Sequence, residues 1–181
     1  QSLSSAGNGT MVGVTNSGTF CGAAGVVAGL QNGTVVECSS SASITVTNSN
    51  FMGAAVAGGV VCFGRGLTVV SRCYNTGTIN ASAMLMGISG GILAATVESA
   101  EVSISDCYNV GQVSGGTSGG IFGMISPIDP TKAENAVQVT NSYFLTSAGG
   151  NNGYGTGMTA DEMKTEEFKN QIDQSTHTFV M

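Results

Sequence analysis

A short phrase that returns at a nearly fixed interval constrains this sequence more than any other feature. The phrase Cys73–Asn75 (Cys-Tyr-Asn) returns at Cys107–Asn109. A degraded copy begins at Cys38, and a half-copy begins at Ser142. Positions 38, 73, 107 and 142 are separated by 35, 34 and 35 residues. A fixed period of this size is typical of stacked supersecondary units rather than of one ordinary globular core.

A second phrase, Gly-Gly-Ile, follows each Cys-Tyr-Asn phrase, as at Gly90–Ile92 and Gly119–Ile121. Apolar and polar residues alternate in Val102–Ser105, as in a half-buried strand. The alternation breaks at the Cys-Tyr pair, which indicates a corner, and the Asn-x-Gly that follows offers residues that tolerate positive φ. With Gly-Gly-Ile beginning a third face, we expect three short strands per repeat.

The predicted fold is all-β, a parallel β-solenoid of about four coils of about 34 residues with a short C-terminal capping helix. Helical repeats of similar length fit poorly because Gly, Thr, Ser and Val dominate the repeats and are poor helix formers. Equivalent apolar positions are expected to stack inside the coils; they are Val35, Val70, Ile104 and Val139.

Three cysteines, Cys38, Cys73 and Cys107, occupy one repeat position and are predicted to stack as small buried hydrophobic residues. A disulfide between two of them stays open as an alternative, because parallel coils lie about 4.8 Å apart. No CxxC or Cys/His pair has the spacing of a metal site, so the sequence predicts neither a metal nor a cofactor.

The residue before each cysteine forms a charged ladder of Glu37, Arg72 and Asp106. Because the signs alternate, we expect Arg72 to bridge both carboxylates and to stabilise the coils rather than to take part in catalysis. The residue after each cysteine forms a second ladder of Tyr74, Tyr108 and Tyr143. Stacked packing is the main interpretation of the tyrosines, and a sugar-stacking stripe is the alternative.

Two segments depart from the repeat. Residues 126–135 hold both prolines and read as a protruding loop, in which Asp129, Lys132 and Glu134 are candidate ligand-binding residues. Further on, Thr159–Glu162 matches a capping box, with Met158 and Met163 placed for a hydrophobic staple. We expect a helix over about 160–173, which Thr165 can interrupt, as a lid on the last coil.

This organisation divides the chain into solenoid repeats at 1–157, with an incomplete N-terminal coil, a helical cap at 158–175, and a tail at 176–181. Gln1 is an unusual first residue, so we expect an excised piece of a longer protein, with further repeats or domains on the N-terminal side.

Composition narrows the function classes. Charged residues make up 9% and apolar residues 41% of the chain, which argues against disorder. No apolar run reaches the ~20 residues of a membrane span, so no membrane insertion is expected. The absence of a basic patch makes nucleic acid a poor candidate partner. His177 is the one histidine and lies in the tail, so no Ser/His/Asp or Cys/His site is predicted, and we expect no enzyme.

The phrases at Cys73–Ile79 with Gly90–Ile92, and at Cys107–Gly111 with Gly119–Gly123, resemble the GLUG-type repeats of bacterial secreted and cell-surface proteins. The resemblance implies a non-catalytic extracellular module, a stalk or an adhesive surface, whose partner is a host glycan or an extracellular protein. Peptidases that accompany such repeats use His-Glu-x-x-His, which this sequence lacks, so no catalytic residue carries over.

Two other functions are alternatives. A carbohydrate-active or carbohydrate-binding β-helix needs clustered carboxylates if it is an enzyme, and the nine charged residues before position 161 are dispersed in sequence. An ice-binding solenoid is suggested by Thr45–Thr47 and Thr76–Thr78. It is disfavoured because the threonine column is not kept, since Thr78 becomes Gln112 in the next repeat.

Overall fold

The chain folds as a parallel β-solenoid with one short C-terminal helix, which confirms the predicted fold class. A computed structural model describes residues 2–3, 6–7, 11–16, 19–97, 100–126 and 137–172, with side chains at 19–96, 100–125 and 137–172. The coils make about three turns rather than the four predicted.

Four parallel sheets, named A to D here, run through the described part of the solenoid. Sheet A contains β1 (Ser2–Leu3), β5 (Val27–Val36), β9 (Val61–Ser71), β13 (Leu93–Val97), β14 (Glu101–Ser105), β18 (Phe122–Ser126) and β19 (Val137–Thr140). Sheet B contains β2 (Ala6–Gly7), β6 (Ser39–Ser40), β10 (Tyr74–Asn75), β15 (Tyr108–Asn109), β20 (Tyr143–Leu145) and β21 (Thr156–Met158). Sheet C contains β3 (Met11–Asn16), β7 (Ser43–Asn48), β11 (Ile79–Ala83) and β16 (Val113–Gly115). Sheet D contains β4 (Phe20–Ala24), β8 (Ala54–Gly58), β12 (Met86–Gly90) and β17 (Thr117–Gly119).

The prediction of three strands per repeat was wrong, because each coil visits four sheets. The Cys-Tyr-Asn phrase supplies the two-residue strands of sheet B instead of only a corner. The Gly-Gly pair ends a strand of sheet D and turns the chain into sheet A. In two coils the segment after the glycine corner and the segment before Cys form one long strand, β5 and β9.

The repeat register agrees with the sequence alignment of the copies. Val35 pairs with Val70, Val70 with Ile104, and Ile104 with Val139. The first three of these side chains are fully buried, and Val139 packs against the same core cluster. The predicted interior column of apolar residues is therefore confirmed.

Sheet D lies between sheets C and A and is buried on both faces. Ala55 and Ala57 of β8 point into the core shared with sheet C, whereas Val56 points into the core shared with sheet A. A strand buried on both faces loses the alternation of apolar and polar residues that reveals a half-buried strand. Small residues in these strands allow the three layers to approach closely.

Glycines stack at the corner between sheets D and A. The amide of Gly59 donates to the Gly90 carbonyl at 2.9 Å, and the amide of Gly91 donates to the Gly119 carbonyl at 3.0 Å. A Cβ on Gly91 would overlap the Gly120 carbonyl oxygen of the next coil, so glycine is required by space rather than by conformation.

Positive φ occurs at a different place from the one predicted. The residues before the Cys phrases adopt it; they are Glu37, Arg72, Asp106 and Asn141, with φ of 55°, 50°, 54° and 44°. Gly77 and Gly111 of the Asn-x-Gly phrases do not. They are glycines because a Cβ would overlap a carbonyl oxygen, of Ala42 for Gly77 and of Gly77 itself for Gly111.

The C-terminal segment covers the solenoid with two parts. Asn152 donates through Nδ2 to the Phe122 and Gly123 carbonyls at 2.8 Å, and Tyr154 meets the Phe122 ring edge-on at 5.0 Å. A 3-10 turn at Glu162–Lys164 and helix α1 (Glu166–Ile172) follow, separated at Thr165. Their buried side chains, Met163 and Phe168, pack on the tyrosines of sheet B instead of over the end of the core.

Substitution of a corner glycine tests the close stacking. Gly91→Ala should lower the free energy of unfolding by about 1–3 kcal/mol or more, because the new methyl overlaps a backbone oxygen that cannot move alone. Gly29→Ala is the matched control, since nothing lies within 4 Å of the position that its new methyl group would take, and it should change stability by less than about 0.5 kcal/mol. Urea unfolding followed by circular dichroism measures both, and equal effects would contradict the stacking argument.

Candidate functional site

The cysteine column continues from coil to coil through hydrogen bonds. The amide of Cys38 donates to Sγ of Cys73 at 3.4 Å, and the amide of Cys73 donates to Sγ of Cys107 at 3.4 Å. Ser142 takes the same place in the next coil, where its Oγ accepts from the Cys107 amide at 3.2 Å. The half-copy of the phrase therefore keeps the hydrogen bond although it lacks the cysteine.

Each side chain of this column also donates to the carbonyl two residues earlier. Sγ of Cys73 lies 3.2 Å from the Ser71 oxygen, and Oγ of Ser142 lies 2.8 Å from the Thr140 oxygen. The prediction of small buried hydrophobic residues was incomplete, because these thiols satisfy buried backbone groups as well as filling space.

The backbone explains why a side chain is needed at this point. The amide of Arg72 donates forward to the Ser105 carbonyl of the next coil, at 3.1 Å, whereas the amide of Tyr74 donates back to Cys38, at 3.0 Å. The backbone ladder thus reverses direction across Cys73, after the left-handed residue. The intervening cysteine amide finds its acceptor in a thiol.

All five cysteines lie among the described residues, and all are buried free thiols. The disulfide alternative is therefore absent from this structure. Burial raises the pKa of Cys62 to about 12 and also raises the pKa of Cys107. Because the thiolate is the reactive form, burial makes Cys62 and Cys107 poor nucleophiles.

The charged ladder forms pairs rather than a continuous chain. Arg72 Nη2 lies 3.0 Å from Glu37 Oε1, and its Nε donates to the same oxygen at 3.1 Å. Within the described part of the chain Arg72 makes no ion pair with Asp106, which accepts instead from Asn141 Nδ2 at 3.4 Å. The prediction that Arg72 bridges both carboxylates was therefore wrong for Asp106. These side chains are partly exposed, so each pair contributes little to stability.

The tyrosine ladder is largely covered. The rings of Tyr74 and Tyr108 stack at 4.9 Å with 6° between their planes, while Tyr143 meets Phe168 edge-on at 5.3 Å. Burial under the C-terminal segment raises the pKa of both Tyr108 and Tyr143. Tyr74 alone of the three stays half-exposed, and its neighbour in the preceding coil is Ser39. A sugar-stacking stripe of three tyrosines is thus not accessible, although the Tyr74 ring remains a candidate.

A buried asparagine column escaped the sequence interpretation, which treated these residues as turn formers. Asn75 Nδ2 donates to Asn109 Oδ1 and to the Gly77 carbonyl, both at 2.8 Å. Its Oδ1 accepts from the Gly77 amide at 3.2 Å, and Asn109 repeats the arrangement with Gly111. The repetition of the asparagine in the phrase was the available signal. The structure assigns it to stacking inside the coil.

Sheet A bends where the repeats vary in length. Asn32 and Gly66 have φ of 47° and 58°, and the register shifts between Gln31 and Gly33. Asn32 Oδ1 accepts from the Leu67 amide at 3.1 Å, which fixes the bend between two coils. The longest insertion falls at the corresponding place between β18 and β19. Asp129, Lys132 and Glu134 belong to it and lie outside the described residues.

The described residues contain no group of three or more His, Cys, Asp or Glu side chains placed to hold a metal ion. In those same ranges no helix is long and apolar enough to cross a membrane. Comparison with protein-family models, curated proteins and solved structures found no match for this chain. The candidate surfaces therefore have to be judged on their own geometry.

A substitution series at Cys107 tests the hydrogen-bonding role of the column. Cys107→Ala leaves the buried Cys73 amide without its acceptor and should cost about 1–3 kcal/mol of unfolding free energy. Cys107→Ser should retain more stability, because Ser142 already makes the equivalent bonds. Ser142→Ala should show a loss similar to that of Cys107→Ala. An alanine variant at 107 more stable than the serine variant in urea unfolding would favour purely apolar packing.

The capping box predicts a pH dependence of the C-terminal segment. The amide of Thr159 donates to Glu162 Oε2 at 2.7 Å and its hydroxyl donates to the same oxygen at 2.8 Å, and these bonds lower the pKa of Glu162. A lowered folded-state pKa gives stability that is complete above the unfolded pKa of ~4.3 and is lost as pH falls through the folded value.

The near-ultraviolet circular dichroism of the tyrosines should therefore weaken on acidification below about pH 4, as the cap loosens. The chain has no Trp, so this signal reports mainly its four tyrosines. Glu162→Gln should flatten the acid transition, and Glu167→Gln, an exposed control in α1, should leave it in place. An unchanged transition in the Glu162 variant would show that the capping box does not govern docking.

Proposed function

We propose that this chain is a non-catalytic repeat module of a bacterial extracellular or cell-surface protein, serving as a stalk or as an adhesive, ligand-binding surface. The observation that carries the proposal is the in-register stacking of coils in all four sheets. The coils of Cys73 and Cys107 place the same thiol, asparagine and glycine against equivalent groups of the neighbouring coil. Such a unit extends by adding coils and presents a long, constant frame with variable outer positions.

The charged side chains support a non-catalytic role. Glycoside hydrolysis needs two carboxyl groups that face each other across a substrate, about 5–9 Å apart. The described carboxylates of the coil corner are instead engaged, Glu37 with Arg72 and Asp106 with Asn141.

A carbohydrate-binding β-helix is the second candidate, favoured by one specific feature. The Tyr74 side chain is only partly buried, and its ring stacks flat on Tyr108, which fixes its orientation. The residue paired with Tyr74 in the preceding coil is Ser39, which has no aromatic ring. A rigid aromatic face beside a small residue is suited to stacking against a sugar ring.

An array of host glycans and extracellular-matrix proteins tests both candidates. We expect saturable binding to at least one class of ligand. Loss of binding on Tyr74→Ser would assign the site to carbohydrate stacking, and loss in a variant with Asp129, Lys132 and Glu134 changed to serine would assign it to the 126–135 loop. Binding that survives both variants would exclude these two surfaces.

Assays for reducing ends and unsaturated products on a polysaccharide panel test the non-catalytic part. We expect no product above the buffer control. Product that depends on the folded protein would overturn the proposal, whatever the array shows.

A further inference from the structure

Among the described residues, the strands of sheets C and D carry no charged side chain. Each chain segment from the cysteine to the bend of sheet A contains no Asp, Glu, Lys, Arg or His; these segments are Cys38–Gly64, Cys73–Val97 and Cys107–Ile128. Their described residues form strands of sheets B, C and D and the first part of the sheet A strands, and the charged C-terminal segment packs on sheet B, so the uncharged surface is that of sheets C and D. The described charges of the coils lie instead on sheet A or at its ends, at Glu37, Arg65, Arg72, Glu101 and Asp106. In a chain of net charge −6, this separation leaves a large neutral surface.

The outer face of sheet C carries a grid of hydroxyl and amide groups. Its columns follow the coil register, with Thr45 beside Asn80 and Asn80 beside Ser114, and with Thr47 beside Ser82. The alternate residues of the same strands, such as Ile44 and Ile79, are fully buried, so the grid faces outward. Successive groups lie about 4.8 Å apart between coils and about 6.7 Å apart along a strand.

An apolar row borders this grid along the turns from sheet C to sheet D. It consists of Phe51 and Met52 in one coil and Met84 and Leu85 in the next, exposed by 70%, 63%, 71% and 56%. Large apolar side chains exposed side by side mark a binding surface more often than scattered single ones do. The grid and the row together form what we call the neutral face.

We propose that the neutral face binds a neutral polysaccharide. A neutral polymer loses no ion hydration on binding here, whereas an anionic or cationic polymer would meet no counter-charge. Sugar hydroxyls match the donors and acceptors of the grid, and the C–H faces of sugar rings match Phe51 and the methionines. A polymer also offers repeated units to the repeated columns. The proposal rests on the surface-module function above and names its ligand class.

A protein partner fits the grid less well than the apolar row. Serine is depleted at protein interfaces and is one of the residues that make up the grid, whereas Phe51 and the methionines of the row are residue types that protein interfaces favour. Self-association through the apolar row is the remaining competitor, and the experiment includes an arm for it.

Affinity electrophoresis in native gels suits this acidic chain, which migrates towards the anode. The gels contain mixed-linkage β-glucan, galactomannan or dextran, with polygalacturonate as the anionic comparison. Mobility is measured relative to a gel without polymer. We expect retardation by at least one neutral polymer and none by polygalacturonate.

Two pairs of variants locate the site. Ser82→Lys places a charge on the grid, and Ser103→Lys places the same charge on the outer side of sheet A. Leu85→Ser removes part of the apolar row, and Leu67→Ser removes a leucine of nearly equal exposure, 55%, at the bend. Ser82→Lys should weaken binding by about tenfold or more, because an unpaired charge enters the contact. Leu85→Ser should also weaken it, and both control variants should bind as the parent does.

Each outcome of these experiments supports or overturns part of the proposal. No retardation by any neutral polymer, or equal loss in test and control variants, overturns the proposal. Light scattering that shows a dimer abolished by Leu85→Ser also overturns it, by assigning the face to a second copy. If a ligand from the array binds the Ser82→Lys variant as well as the parent, the surface-module function is still supported, but the neutral face is excluded as the binding site. If sugar products are released and binding is still lost in the Ser82→Lys and Leu85→Ser variants, the neutral face remains the binding site but the non-catalytic function is refuted.

Discussion

The hydrogen bond from a cysteine amide to the thiol of the next coil is the interaction on which the coil corner depends. A left-handed residue before each cysteine turns the chain from sheet A into sheet B, and the backbone ladder reverses there. An amide in that position is buried and would lack a backbone acceptor, a loss worth about 1–3 kcal/mol. The thiol supplies the acceptor, and Ser142 shows that the requirement is for a small hydrogen-bonding group rather than for sulfur.

Other repeated residues of the phrases also contact the neighbouring coils. Asn75 and Asn109 join neighbouring coils by a side-chain amide bond and close the turn to the following glycine. In the degraded copy Ser40 accepts the Ala42 amide at 3.3 Å, so a serine again replaces the usual residue with part of its bonding. Glycines at the remaining corners let one backbone rest on the next. Every repeated polar or small residue of the phrases therefore has a partner in an adjacent coil, and the repetition reflects stacking.

Sequence reasoning succeeded where a residue's role is local or follows the period. The capping box at Thr159 and Glu162, the break at Thr165 and the apolar column through Val70 were all readable in this way. It failed where the role depends on the neighbouring coil. The sheet D strands are buried on both faces and show no alternation, and Arg72 had two carboxylates in register but pairs with one. The tyrosines were placed correctly in a ladder, but their burial comes from Phe168, which is distant in sequence.

These facts direct the search for function away from the phrases that first attract notice. If a residue recurs because stacking requires it, then its recurrence carries no information about a ligand. The informative positions are those that face outward and change between coils, as Thr45, Asn80 and Ser114 do along one column. Stacking requires only that they fit beside one another, so their shared lack of charge is not imposed by the fold. The described charges of the coils lie on sheet A and its ends, and those of the C-terminal segment lie beside sheet B, which is consistent with a frame that keeps the side of sheets C and D neutral for contact.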